Sequence, residues 1–322
     1  MPQPLAAAHR DAYATDVYAG LTHSPQKELP SKYLYDSIGS SLFEVITHLP
    51  EYGLTRAEER ILQSHADEMC SRVGPVGLVA ELGSGSGRKT RLLLQACARH
   101  RPITYYPIEI SPTALAQCEG ELAGLASVKV VGLEHDYLQG LQEAAAQRTD
   151  EAPLWVLFLG STIGNFSRTA AVRFLRGIRK LLRPGDALLF GADLEKPAWQ
   201  LLTAYDDPLG VTASFNLNML GRINRELGAN FDLTNFKHEA RINGKERAVE
   251  MHLRAMVNHD VRIPGAGLPC VTFTAGETIW TEISHKYQAE ELIDMAGHAG
   301  FTSAGQWIDP QWLFAETLLR AT

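Results

Sequence analysis

The stretch Val79–Thr90, VAELGSGSGRKT, constrains this chain more than any other. A short apolar segment, GLVAELG, runs into three glycines at alternate positions, and a helical pattern, RKTRLLLQACARH, leaves them. The same alternation continues downstream. ITYYPIEIS, VKVVGLEHDYL, PLWVLFLGSTIGNF and ALLFGADL read as strands, with PTALAQCEGELAGL and AAVRFLRGIRKLLRPGD as helices between them. Strands alternating with helices predict an α/β fold with a parallel sheet covered on both faces. In such a sheet ligands bind beyond the carboxyl ends of the strands, where the glycine loop falls.

Two familiar glycine loops are excluded by spacing. A phosphate-binding P-loop needs Gly before its Lys, and Arg88 stands before Lys89. A dinucleotide loop needs its third glycine one residue later than Gly87. What remains is acid-x-G-x-G-x-G, with Glu81 two residues ahead of Gly83. An acid beside the loop suits a cationic ligand better than a pyrophosphate, and the pattern resembles the first motif of Rossmann-like methyltransferases that bind S-adenosylmethionine. The plain alternative is a glycine-rich turn between a strand and a helix.

At 322 residues the chain is long enough for two domains. A net charge of −7 without a basic patch argues against a nucleic-acid partner. Cys70, Cys97, Cys118 and Cys270 lack the spacing of a metal site or a disulfide framework, so no metal is expected. No apolar run is long enough to span a membrane and the N-terminus lacks a signal core, so a cytoplasmic protein is expected; with no obvious coiled-coil or exposed apolar segment, a monomer is expected. After Asp193 the strand–helix rhythm breaks. NLNMLGRINRELGANFD reads as a helix, and FKHEARINGKERAVEMHLRAMV as two strands about Asn243-Gly244. TIWTEISHKY, QAEELIDMAGHAG and TSAGQWIDP then read as strand, helix and last strand. The expected division is 61–196 with 286–322 for the α/β domain, and 1–60 with 197–285 for an inserted α+β domain.

Candidate ligand residues sit at successive strand ends. Glu109 follows the second strand, 26 residues after Gly83, close to the roughly 20 expected of a ribose-binding acid. Asp136 and Tyr137 follow the third strand, placed for an adenine amino group and face. Ser161, Thr162 and Asn165 end the fourth. Tyr205 belongs to the inserted domain. Glu282 and Ser284, two apart on a strand, share one face. Each has a plain alternative: a solvated carboxylate for Glu109, a turn residue for Asp136 and Asn165, core or rim for Tyr205, and a solvated strand face for Glu282 and Ser284.

Over nearly its whole length the chain resembles the S-adenosylmethionine-dependent histidine α-N-methyltransferases that begin ergothioneine biosynthesis. The resemblance is carried by LPSKYLYDSIGSSLFEVITHLPEYGLTRAE, ELGSGSGRKTRLLL, FLGSTIGNF, AYDDPLGVTASFNLNML, INRELGANFD, EMHLR and TEISHKY. It implies a class I methyltransferase sheet with an inserted substrate domain, S-adenosyl-L-methionine as cofactor and histidine as substrate. It places Gly83, Ser84, Gly85, Lys89, Glu109, Asp136 and Tyr137 at the cofactor. It places Tyr52, Asn165, Tyr205, Met251, Glu282 and Ser284 at the substrate: Asn165 and Tyr205 on the carboxylate, Glu282 and Ser284 on the imidazole, Met251 beside the ring. Tyr35 falls near the amine under attack. Glu109 departs from the family's shorter Asp.

Overall fold

The computed structural model describes residues 7–149 and 151–322. The chain divides into two compact units: residues up to Tyr52 with Pro197–Ser284, and Gly53–Lys196 with His285–Thr322.

The second of these is built on a seven-stranded sheet. Five strands run parallel: Val128–Val130, Ile103–Ile108, Leu78–Leu82, Leu154–Phe158 and Ala187–Asp193, in that spatial order. The chain starts at Leu78–Leu82, steps twice to one side, then crosses to the other. The switch point therefore lies between the carboxyl ends of Leu78–Leu82 and Leu154–Phe158, where a parallel sheet opens a crevice. Both strands are buried along their whole length, which is why they read as unbroken apolar runs. Helix Arg168–Leu181 turns Ala171, Leu175 and Ile178 onto the sheet.

The sheet is mixed rather than parallel throughout. Phe314–Ala321 runs antiparallel beside Ala187–Asp193, and Phe301–Asp309 pairs antiparallel with it at the edge. TSAGQWIDP is thus the penultimate strand. The third strand is also shorter than the pattern suggests: only Val128–Val130 pairs continuously. Asp136 caps a helix, Tyr137–Ala146, with Oδ1 accepting from Gln139 N at 2.9 Å.

The other unit carries a four-stranded sheet, ordered Lys27–Glu28, Thr278–His285, Ala248–Ala255, Phe236–Asn243. The expected hairpin forms, but reversal takes residues 244–247, with Asn243 Oδ1 accepting from Glu246 N at 3.0 Å. Helix Val211–Leu227 is started by Asp207, whose two oxygens accept from Val211 N and Thr212 N at 3.0 and 2.7 Å. Left-handed Gly228 ends it.

At the amino ends of the parallel strands Asp186 ties the larger sheet together. Its oxygens accept from Leu154 N at 2.9 Å, Arg183 N at 2.7 Å and the buried Arg148 guanidinium at 2.6 Å. Removing one partner of a buried ion pair leaves the other uncompensated. Asp186→Ala should lower the unfolding free energy by about 3–5 kcal/mol in urea titrations. Ligand affinities should stay unchanged, because this is the end of the sheet away from the crevice.

Candidate functional site

The glycine loop owes its shape to three left-handed residues: Gly83, Gly85 and Gly87 have φ of 75°, 52° and 73°. A Cβ at Gly87 would stand 2.7 Å from Cys118 Sγ, while one at Gly85 would meet nothing within 4 Å. Gly87 is thus glycine for packing as well as for φ, and Gly85 leaves backbone open to a ligand. Ser84 is buried within the loop, its carbonyl accepting from Gly87 N at 3.1 Å, and Gly83 N donates to Ile108 O at 2.9 Å.

Several sequence-predicted cofactor residues converge here. The hydroxyl of Tyr137 would lie 3.3 Å from a Cβ on Gly83. The Tyr137 ring is set edge-on by Phe158 and Phe174, at 5.7 and 5.9 Å. Burial, and then the charge of Glu109, push its phenol up to about 12. Glu109 is half-buried rather than solvated. Its Oε1 accepts from Ile110 N and Ser111 N at 2.9 and 3.2 Å, and burial holds its pKa above the usual range.

Glu81 lies differently from what the pattern suggests, and Lys89 has a partner that the pattern does not show. Glu81 does not face a ligand. It is buried, accepts from the Thr90 hydroxyl at 2.8 and 2.7 Å, and also accepts from the Tyr105 hydroxyl. The acid of the motif therefore braces the first strand against the helix that follows the loop. Lys89 is paired with Glu58. Burial works against the ammonium charge, but Glu58, then Glu81 and Glu316, outweigh it and keep its pKa raised. Glu58 lies on helix Leu54–Val73 and ends the stretch LPSKYLYDSIGSSLFEVITHLPEYGLTRAE, without a role assigned to it there. A further sequence signal is a carboxylate four residues after Leu54 and three before Ile61, on the apolar side of that helix.

Across the switch point, the loop after Leu154–Phe158 turns at left-handed Gly160 and closes in a 3₁₀ turn, Thr162–Asn165. Three groups fix it. Ser161 Oγ accepts from Asp193 N at 2.9 Å, His285 Nδ1–H donates to Gly164 O at 2.9 Å, and Tyr287 OH donates to Ile163 O at 3.2 Å. Asp193 itself is buried between Lys196 at 2.5 Å and Lys286 at 3.0 Å, and accepts from Trp312 Nε1 at 3.1 Å. The HKY of TEISHKY thus holds the turn that carries Asn165, a task the motif alone does not reveal.

In the other unit one apolar cluster gathers Tyr35, Tyr52, Tyr205 and Met251. The Tyr35 ring meets Phe43 and Phe215 edge-on at 5.4 and 5.5 Å, and Phe43 in turn meets Tyr52 at 6.3 Å. Asp36 anchors the backbone beside Tyr35. It caps helix Ser37–His48 through Gly39 N at 2.7 Å, accepts from Asn218 at 2.7 Å, and pairs with Arg225. The carbonyl of Tyr205 accepts from His238 Nε2–H at 2.8 Å, while His238 Nδ1 accepts from Asn216 at 2.9 Å. On strand Thr278–His285, Ser284 is buried and Glu282 half-buried, so this is no solvated face. Trp280 Nε1–H donates to Glu282 O at 2.9 Å. Among the described residues no cluster of potential metal ligands is present, and no described helix is long and apolar enough to cross a membrane.

Residues 13–321 match the family described as histidine-specific methyltransferase, SAM-dependent. The chain is 40% identical over 311 residues to histidine N-alpha-methyltransferase of Mycolicibacterium smegmatis (strain ATCC 700084 / mc(2)155), covering 96% of this chain and 94% of that one. It is 37% identical over 203 residues to ergothioneine biosynthesis protein 1 of Neurospora crassa, covering 63% of this chain and 23% of that protein. It is 27% identical over 331 residues to an L-tryptophan methyltransferase of Psilocybe serbica, covering 95% of this chain and 92% of that one.

Glu81 gives the glycine loop a measurable signature. Burial pushes its carboxyl from an ordinary 4.5 up to about 7. The folded chain then holds a proton that the unfolded chain has released, so stability falls as pH rises from about 4.5 to about 7. The full effect is about 3 kcal/mol. In Glu81→Gln, urea unfolding across that window should lose this part of the decline. An unaltered pH slope would mean that Glu81 ionises freely in the folded chain.

Proposed function

The chain belongs to the histidine-specific, S-adenosylmethionine-dependent methyltransferases, and from that membership we propose the roles its own residues play. The reaction is transfer of three methyl groups in succession to the α-amino nitrogen of histidine, giving hercynine, the first step of ergothioneine biosynthesis. The observation that carries the assignment is the glycine loop. It has left-handed glycines, open backbone at Gly85, and Tyr137 and Glu109 converging on it. These residues fit S-adenosylmethionine: Gly83, Ser84 and Gly85 cradle its amino-acid end, Glu109 takes the ribose hydroxyls, and Asp136 with Tyr137 takes the adenine. When bound, the cofactor supplies an electrophilic methyl on a cationic sulfonium.

What the protein must add is position, since an in-line displacement gains most from holding reacting atoms about 3–3.5 Å apart and aligned. Asn165 and Tyr205 hold the histidine carboxylate, and the braced turn Thr162–Asn165 supports that role for Asn165. Glu282 and Ser284 grip the imidazole, and Met251 and Tyr52 pack around the substrate. The attacking nitrogen must be a neutral amine. A nearby positive charge lowers its proton affinity, so no strong base is required. Tyr35, fixed by Phe43, Phe215 and Asp36, orients the lone pair through its hydroxyl. A cytoplasmic setting belongs to the same proposal and is supported by Cys70, Cys97 and Cys118, buried as free thiols.

A second reading keeps fold and cofactor but takes tryptophan, the substrate named for the Psilocybe serbica relative. Glu282 and Ser284 favour histidine, because an indole offers one N–H donor and no acceptor to two polar groups. Calorimetry of histidine binding with Glu282→Ala tests the assignment. Histidine affinity should fall about 10–100-fold, the cost of an unmet polar partner, with S-adenosylmethionine affinity unchanged. Equal losses for both ligands, or none for histidine, would remove Glu282 from recognition.

A further inference from the structure

Glu58 is fully buried, and neither the cofactor nor the histidine assignment uses it. Its two carboxylate oxygens go to different loops. Oε2 accepts from Lys89 Nζ and Oε1 accepts from Gly160 N–H. Lys89 closes the glycine loop after the first strand, and Gly160 opens the loop that leads to Asn165. These loops flank the switch point of the sheet.

The surroundings leave the Gly160 loop little room. A Cβ on Gly191 would stand 2.3 Å from Gly160 O, so the loop rests directly on strand Ala187–Asp193. The same Cβ would lie 3.0 Å from Glu316 Oε1. Glu316 comes from the antiparallel strand Phe314–Ala321 and is fully buried beside Glu58. Burial, and then the neighbouring Glu58, hold its carboxyl far above the usual range. Of the nearby carboxylates Glu58 is the one that bonds Lys89 directly.

We propose that Glu58 is a positioning residue for methyl transfer, fastening the glycine loop, through Lys89, to the Asn165 loop. The inference rests on the assignment of the glycine loop to S-adenosylmethionine and of Asn165 to the histidine carboxylate. One carboxylate then sets the spacing between the two ligands.

The test is calorimetric titration of S-adenosylmethionine, without histidine, into the wild type, Glu58→Gln, Lys89→Met and the double variant. Each single change strands a buried charge or its partner and should weaken binding about tenfold or more. The double variant should bind within about threefold of the weaker single variant, because the two residues work as one unit. Additive losses would mean that Glu58 and Lys89 act separately and would overturn the proposal. Glu58→Gln should also raise the histidine KM at saturating cofactor. A lower melting temperature with both ligand affinities intact would reduce Glu58 to a scaffold residue and overturn it equally. Should Glu58→Gln fail to fold, Glu58→Asp keeps the charge, shortens the reach and gives the same comparison. If the wild type binds the cofactor but methylates no histidine, the functional assignment fails, while the calorimetric coupling of Glu58 and Lys89 is decided independently.

Discussion

A half-buried ammonium, that of Lys89, shares the space beneath the glycine loop with the buried carboxylates of Glu58, Glu81 and Glu316. Four ionisable groups in the interior are tolerable only if their charges nearly cancel and their polar atoms are met. Lys89 offsets Glu58, Glu81 rests on the hydroxyls of Thr90 and Tyr105, and burial, then Glu58, hold the Glu316 carboxyl far above its usual range. Each partnership ties down a different piece of backbone: the helix before the sheet, the helix after the loop, and the antiparallel strand at its side. The left-handed glycines can then stay open above a rigid base.

The same economy recurs on the other side of the switch point. The turn that carries Asn165 has no core of its own, and backbone carbonyls of Ile163 and Gly164 are met by Tyr287 and His285. In the separate unit that carries Tyr35, Tyr52, Tyr205 and Met251, aromatic edges and the cap at Asp36 do the equivalent work. Methyl transfer from a sulfonium asks for no metal-like polarisation and no strong base, only for held positions. Networks that immobilise short turns are the structural answer to that demand.

Much of this was legible in the sequence, for a physical reason. Strands buried on both faces must be apolar throughout, so LVAEL and LWVLF announce themselves, and the glycine spacing follows from backbone that only glycine adopts easily. Phe314–Ala321 was missed because Glu316 and Arg320 break its apolar run. Helix Tyr137–Ala146 was missed because the preceding VKVVGLEHDYL reads as one strand, although only three residues pair. Glu81 was placed beside a ligand, but on a strand with no solvent face an acid is interior whichever way it points. The glycine motif does not reveal the partner of Lys89, because Glu58 lies 31 residues away in sequence. The period of two shows that Glu282 and Ser284 share a face; it does not show that the face is sheltered.

Mass spectrometry of the products formed from S-adenosylmethionine and an equimolar mixture of the twenty amino acids decides substrate and stoichiometry together. Histidine should gain three methyl groups and no other amino acid any, with mono- and dimethylated species appearing first. Methylation of tryptophan in place of histidine would contradict the imidazole role of Glu282 and Ser284 while leaving the cofactor loop untouched. No methylated amino acid at all, from protein that binds the cofactor, would contradict the function itself.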